Sequence, residues 1–464
     1  MEAFWINQQI RGGPMGNRRG AAESGYDHGP RSKAMELMAI RTITARDRNR
    51  HGDDVRPVGH GLRMAGPSRG ILLLSAMLML CVLAGCSQES AQVRQGVSYY
   101  YLGDYPQAEK ALAPLIAKKN QNYVLNNCRY GSAALAAGNL NHAEQAFMRA
   151  YRVMNAVNVN TGSHVLGAVI LYDGFKVWKG QPFERAMAHY YLGLIFLIKG
   201  EYNNARAAFA NSLFRLRQYG NPNSHLPAGQ RYARVESDFT LGYFGLGVCY
   251  LHLGNMNLAR ANFNRAVQLN PALGPIVQRL YDPKVNTLVF VDYGFGPRRR
   301  SKGWYGEQTV FTPAPWQVGP IPPIQAWVNG HAVAGISDSA MVNTLALAQD
   351  KRWLTMNTIR ETKAVLGTGL MAGGLIAADS GANSRNGTVA LAGLGAAALG
   401  AVLAASSHAD TRYWQMLPWT VYVLPLALKD GYNRIEINVA GASVPPFAVN
   451  YTGPKYRVLY VRLR

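Results

Sequence analysis

The side chains able to do chemistry in this 464-residue chain are four cysteines, ten histidines and 26 carboxylates, and their spacing decides what they can do. None of the histidines stands in a His-Glu-x-x-His arrangement, which would put two zinc ligands and a general base on one helix face. There is no Gly-x-x-x-x-Gly-Lys-Ser/Thr loop to cradle phosphates and no Gly-x-Ser-x-Gly turn to present a nucleophile. Gly294-Phe-Gly-Pro-Arg-Arg-Arg300 has the glycines of a phosphate loop, but Pro297 and the missing helix-opening pattern make it an exposed basic β-loop. Asp410 and Arg412 are spaced to form an ion pair that orders the chain before a strand. An enzyme would have to assemble its site in three dimensions, for example from Asp338, Asp410 and a histidine such as His331 or His408. The expectation is no enzyme, with no catalytic residue, no cofactor and no metal site.

Cys86 has a different chemistry open to it. Residues 71–86 read Ile-Leu-Leu-Leu-Ser-Ala-Met-Leu-Met-Leu-Cys-Val-Leu-Ala-Gly-Cys and follow Arg69, which is the length and flank of a secretory apolar region. The run is short for a membrane-spanning helix. Leu83-Ala84-Gly85-Cys86 resembles the lipobox of bacterial lipoproteins, where small residues admit the signal peptidase and the cysteine takes the diacylglycerol and palmitate. That resemblance implies a signal peptide over 64–85, opening at Met64, and a membrane-anchored chain facing the periplasm from Cys86 onward. Ser87, in place of the Asp associated with inner-membrane retention, favours the outer membrane. Residues 1–63 are Arg- and Gly-rich without apolar periodicity and read as a mis-assigned or disordered leader. A basic arm for nucleic acid or anionic lipid is the other reading of that segment.

Charge narrows the partners. Lys and Arg total 48 against 26 Asp and Glu, a net charge of +22, of which about +17 remains after residue 85. A nucleic-acid footprint would form a stripe, whereas these cations are dispersed, with one cluster at Arg298, Arg299, Arg300 and Lys302. In the envelope the anionic neighbours are lipid headgroups, lipopolysaccharide phosphates and peptidoglycan carboxylates, so no nucleic acid is expected. The cluster is the candidate anionic-surface contact. With 48% hydrophobic and 16% charged residues, the chain is neither a disordered acidic tail nor a coiled-coil rod. Four cysteines are too few for a disulfide scaffold, and Cys128 and Cys249 are expected as small buried thiols.

The elements that would position any site begin with an internal repeat of about 34 residues, running from about 89 to 275. Its best copy, 240–273, carries Tyr243, Leu246, Gly247, Tyr250, Gly254, Ala259, Phe263, Ala266 and Pro271. This spacing resembles the tetratricopeptide repeat: small residues where two helices cross, aromatics between neighbours, glycine in the turn. Gly193 to Phe209, Gly131 to Ala150 and a weaker Gly96 to Leu112 share the frame, with extra chain near 155–185 and 218–237. The predicted groove is apolar, lined by Tyr190, Leu194 and Leu197, by Phe244, Val248 and Leu251, and by Cys128, Ser132 and Leu135. It lacks the Lys/Asn/Arg set that clamps a C-terminal carboxylate. Two occupants fit: an apolar or amphipathic segment of a protein partner, or the chain's own inserts and C-terminal domain.

From about 286 the period changes to that of strands: 286–293, 307–312, a hairpin about Asn329-Gly330, then 419–426, 434–439 and 456–464. These predict one antiparallel β-domain split by a helical insert over 337–407. Ser337 to Lys363 reads as a helix capped by Asp338, followed by two Gly/Ala-rich arms, 364–378 and 388–407. Small residues four apart allow close helix contact, as in membrane pairs. The arms are either a bilayer-associated hairpin, able to self-associate, or a buried one. Gly294-Phe-Gly-Pro297, the Arg/Lys-punctuated stretch 338–363 and Ala409-Asp-Thr-Arg-Tyr-Trp-Gln-Met-Leu-Pro418 together resemble a family of bacterial tetratricopeptide lipoproteins of unassigned function. The expected fold is thus α+β and multidomain, with a tetratricopeptide-like α-solenoid over 86–280 and a β-domain over 286–464. The expected function is that of a lipid-anchored envelope scaffold binding protein partners. The alternative is a membrane-inserting or pore-associated component acting through 364–407.

Overall fold

The computed structural model describes residues 90–155, 165–166, 169–170, 177–217, 238–302, 308–315, 317, 319–349, 370, 374–380, 384, 387–406, 410–453 and 456–464. The leader, the signal segment with Cys86, the stretch 350–369 and His408 lie outside the described residues.

Among the described residues eight α-helices come first, in four antiparallel pairs: α1 (Ala91–Leu102) with α2 (Tyr105–Leu112), α3 (Tyr123–Ala136) with α4 (Leu140–Asn155), α5 (Pro182–Ile198) with α6 (Tyr202–Arg217), and α7 (Thr240–His252) with α8 (Met256–Leu269). One contact recurs in every pair. A Cβ placed on Gly96 would meet Leu112 at 2.6 Å; on Gly131, Phe147 at 2.8 Å; on Gly193, Phe209 at 2.9 Å; on Gly247, Phe263 at 2.5 Å. Each glycine thus receives a bulky residue of the second helix in the space its own side chain would fill. Each turn is again a glycine in the left-handed region, at Gly103, Gly138, Gly200 and Gly254 with φ between 75° and 88°. The repeat is therefore the same object four times over, in the frame the sequence predicted.

After a short helix α9 (Gly274–Arg279) the chain turns to strands: β1 (Thr287–Tyr293), β2 (Arg298–Lys302), β3 (Gln308–Thr312), β4 (Ile324–Val328), β5 (His331–Ala332), β6 (Ala340–Asn343), β7 (Thr420–Leu426), β8 (Gly431–Val439), β9 (Ala442–Tyr451) and β10 (Arg457–Leu463). They form a sheet of order β10-β1-β7-β6, another of order β9-β8-β4-β5, and a β2–β3 ribbon. Asn329 and Gly330 both have positive φ, 53° and 78°, as a two-residue hairpin requires.

Two expectations are corrected here. The β-region is not wholly antiparallel, because β10 runs parallel to β1, Arg457 opposite Thr287 through Leu463 opposite Tyr293. The long connection between them supplies the crossover that parallel pairing requires. Nor is 337–363 one helix capped by Asp338. Residues 340–343 are strand β6, hydrogen-bonded to β7, and the helix that follows among the described residues, α10 (Thr344–Ala348), starts at 344 and is capped by the Asn343 side chain. Pairing along β7 overrides the local helical pattern.

Strands β1 and β7 are buried along nearly their whole length, as strands covered on both faces must be. The solenoid covers one side: Phe290 on β1 lies 6.4 Å, ring to ring, from both Tyr190 and Phe244. Strand β8 alternates buried and exposed, with one wet face. Solenoid and sheets share one apolar core.

The excursion between β6 and β7 carries helix α11 (Gly387–Ser406), packed against helical residues 374–380. A Cβ on Gly374 or Gly393 would run into the backbone of the opposite arm, so the two backbones nearly touch. Among the described residues no helix is long and apolar enough to cross a membrane.

Candidate functional site: the inner face of the solenoid

A solenoid of helix pairs places its first helices on the inside, and here those helices carry a mixture of apolar and unexpectedly polar side chains. The apolar ones are the predicted groove residues. Tyr190, Leu194, Leu197, Phe244 and Val248 are buried and Leu251 is half-buried; the first five pack in the core shared with the sheets. They do not form an open groove, because the chain's own sheet covers them. Of the two occupants that fitted the sequence, the C-terminal domain is the one present.

The polar side chains have a more specific task. Residues 410–419 run through the inner face without regular secondary structure, and their main chain is held by side chains of the repeats. Tyr101 and Tyr100 donate hydroxyl hydrogen bonds to the carbonyls of Gln415 (3.0 Å) and Met416 (3.3 Å). The Trp178 indole N–H donates to the Arg412 carbonyl at 3.1 Å, and Glu184 Oε1 accepts from the Trp414 N–H at 2.8 Å. Side chains of the segment are read as well. Trp414 Nε1 donates to Ser132 Oγ at 3.1 Å while its ring lies 5.8 Å from Phe147 and 5.7 Å from Tyr191. Arg129 Nε donates to Gln415 Oε1 at 2.9 Å. Arg412 donates to the Gln121 carbonyl and Asn122 Oδ1, and pairs with Asp410 at 2.7 Å. The Asp410–Arg412 pair is therefore the ordering device expected from its spacing.

This is recognition of an irregular, turn-containing peptide, with main-chain atoms fixed by side chains and one aromatic anchor in a pocket. The peptide is supplied in cis. Its consequence for electrostatics is clearest at Glu184, which caps α5 through Gln181 N–H (2.7 Å) while holding Trp414. Burial pushes its carboxyl up to about 7, against the opposing pull of its backbone hydrogen bonds and of Arg299.

A second polar node ties the first and third repeats to β1 and β10. Asp292 Oδ2 accepts from Tyr191 (2.5 Å) and Tyr460 (2.8 Å), and burial raises its carboxyl to about 6. Arg462, buried beside it, donates to the Tyr100 hydroxyl at 2.9 Å and to the carbonyls of Asp292, Leu463 and Gly294. Sequence reading missed both nodes. The available signal was polar residues, such as Arg129 and Glu184, at inward positions of helices whose neighbours are apolar.

The remaining candidates separate. On the β2–β3 ribbon, alternation points Arg299 inward, where it donates to the Arg412 carbonyl and Thr309 Oγ1, while Arg300 and Lys302 are exposed and Arg298 half-buried. Arg299 is thus a structural residue rather than part of an anionic-surface contact, because a strand turns successive side chains to opposite faces. Asp338 lines a separate cleft of about 440 Å³ with Asp238, Thr240, Asn270 and Asn343. His331 is exposed on β5, and among the described residues no hydrogen bond joins it or Asp338 to Asp410. Cys128 and Cys249 are buried free thiols; burial pushes the Cys249 thiol up to about 12. No group of His, Cys, Asp and Glu among the described residues could hold a metal ion.

Comparison with known proteins agrees with the geometry of the repeats. The tetratricopeptide repeat family matches residues 240–273 and, through a second description of the same repeat, 90–118. Among solved structures the chain is similar to MamA, at 17% identity over 41% of this chain and 75% of MamA, with a TM-score of 0.26. A second MamA structure gives 16%, 40%, 78% and 0.27. The C-terminal part of a tetratricopeptide repeat-containing protein from Cytophaga hutchinsonii gives 15%, 42%, 70% and 0.21. No curated protein sequence matches. The first and last repeats match the family directly, and the same glycine contact runs through all four: this is a tetratricopeptide-repeat-containing protein.

Proposed function

We propose that this protein is a non-enzymatic scaffold of the bacterial envelope, tethered through lipidated Cys86 and holding a protein partner on the outer surface of its repeats. The tetratricopeptide repeats support the protein–protein role. The observation that carries the choice of surface is the occupation of the inner face by residues 410–419, which leaves the outside of the solenoid to partners. That outside is not uniformly polar. Leu253, Met256 and Leu258 are exposed around the turn of the last repeat, and Phe214 is exposed on α6. The lipobox 83–86 behind its apolar run supports the envelope tether, and Ser87 supports the outer membrane. Arg300 and Lys302, facing solvent, suit the anionic surfaces found there.

Crosslinking pull-down of the lipidated full chain from its native envelope tests the reading. One partner should be captured by the wild-type chain and lost with Met256→Asp plus Leu258→Asp, while Arg279→Ala leaves capture unchanged. Capture that survives the double substitution removes the outer surface from the reading. Cys86→Ser should move the protein out of the membrane fraction in its native host, and retention of the unlipidated protein there defeats the anchor.

A further inference from the structure

The cleft between the last repeat and strand β6 has no task in the scaffold. Its volume of about 440 Å³ is that of a small-ligand site, and such sites favour junctions between two parts of a fold. Its walls are fixed in advance. Asn270, at the end of α8, donates to the Ala340 carbonyl of β6 at 2.8 Å and ties the solenoid wall to the strand wall. Asn343 Oδ1 accepts from the Leu345 and Ala346 N–H groups, which seats α10 on a third side. The Ser337 carbonyl accepts from the Ile324 N–H at 3.0 Å, and this holds the loop that carries Asp338.

The lining selects a class of ligand. Asp238 and Asp338 both line the cleft, and among the described residues no Lys, Arg or His does, in a chain with 48 Lys and Arg against 26 Asp and Glu. Asp338 is exposed, accepts from Ser337 Oγ at 3.3 Å, and pairs with no cation among the described residues. An anion is repelled there. A neutral apolar molecule would strip water from the carboxylates without replacing it. A bare metal ion finds too few ligands, since no group of His, Cys, Asp and Glu among the described residues could hold one. The rest of the lining is largely apolar, with Leu269, Ile321 and Met341. An exposed carboxylate by itself holds a cation weakly, because water and salt compete for both charges. An apolar body on the same ligand adds burial to that attraction.

We propose that this cleft binds a small organic cation, an ammonium or guanidinium group on an aliphatic body, with the charge at Asp338 and the body against Leu269, Ile321 and Met341. The site is independent of Cys86 and of the partner surface around Met256.

The test titrates the full chain, at fixed ionic strength, with hexylammonium, hexanol and hexanoate, which share one aliphatic body and differ in charge. Hexylammonium binds saturably and about tenfold tighter than hexanol, as a hydrogen bond to a charged group allows. Hexanoate does not bind, although a net charge of +22 favours the opposite order. Asp338→Asn removes the advantage of hexylammonium and leaves hexanol binding as it was, a split that a merely structural role for Asp338 would not produce. The unfolding midpoint stays in place, because that side chain is exposed. Ala346, exposed on α10, lines the cleft, and Ala346→Trp fills it and abolishes binding of both molecules. Absence of hexylammonium binding overturns the proposal, as does equal binding of hexanol or hexanoate. Hexylammonium binding that Asp338→Asn or Ala346→Trp leaves unchanged lies elsewhere on the chain and equally overturns it.

Discussion

Helices α7 and α11 are written in nearly the same alphabet and meet opposite surroundings. Both lack Asp, Glu, Lys and Arg, both contain several glycines, and both are apolar around their whole circumference. Helix α7 is enclosed by α6, α8 and the sheet, so that Phe244 and Val248 have no exposed surface at all. Helix α11 has one described neighbour, the arm 374–380, and Leu391 stands mostly in the open. Their glycines differ in the same way. In α7 a Cβ at Gly247 meets the Phe263 ring, whereas at Gly395 in α11 it meets nothing within 4 Å. An all-round apolar helix is thus a demand for cover, and its sequence does not say whether protein or another phase supplies it.

The largest expected effect lies on the covered helix. Val248→Asp buries an unpaired carboxylate and should cost roughly 5 kcal/mol or abolish folding. A urea midpoint within experimental scatter of wild type would mean that α7 is not enclosed.

A smaller effect separates the cis-bound segment from an ordinary surface contact. Glu184 titrates at about 7 when folded against its ordinary 4.5, so the folded state keeps a proton that the unfolded chain has lost. Its contribution is fully present below about 4.5 and is lost as pH rises through about 7, by ~3 kcal/mol in total. Asp292 works in the same direction through about 6. His189 works in the opposite one: burial lowers it to about 3, so its contribution is present above 6.5 and lost on acidification. The difference in stability between wild type and Glu184→Gln, followed from pH 4.5 to 7, cancels the other two groups. A flat difference would remove Glu184 from the buried clamp.

The smallest effect compares glycine with glycine. Gly247→Ala should cost about 1–3 kcal/mol through overpacking against Phe263. Gly395→Ala should instead gain about 0.5–1 kcal/mol of helix stability, since Ala is the better helix former and the space is open. Thermal unfolding with circular dichroism reads both, and equal signs would erase the distinction between the two helices.

Much of the solenoid was legible because its signals are local. Glycine sixteen residues before Phe or Leu, and glycine in each turn, state a helix crossing whatever surrounds it. The Asn329-Gly330 hairpin is equally local, being a matter of positive φ. The strands 286–293 and 419–426 were visible as apolar runs, but their neighbours were not. That β10 lies parallel to β1 depends on a connection of more than a hundred and fifty residues, and strand pattern carries no record of its partner's direction. The same limit hid β6, whose residues read as helix until β7 supplied hydrogen bonds. Arg299 shows it on the scale of one side chain: a run of four cations reads as a surface, and strand alternation turns one of them inward.

The candidate site divides along that line. The apolar inward positions and the Asp410–Arg412 pair were readable, since periodicity and spacing place them. Their occupant was not, because Tyr100, Arg129, Trp178 and Glu184 meet residues 412–416 across hundreds of positions of sequence. The amino-acid order by itself determined repeats, turns and the existence of an apolar inner face and an apolar hairpin, since each follows from neighbours within a few turns of chain. Tertiary structure alone decided that the inner face is filled by the chain's own segment and sheet while the hairpin is left uncovered. Burial depends on which surfaces meet in space, and that is not a property of either surface alone.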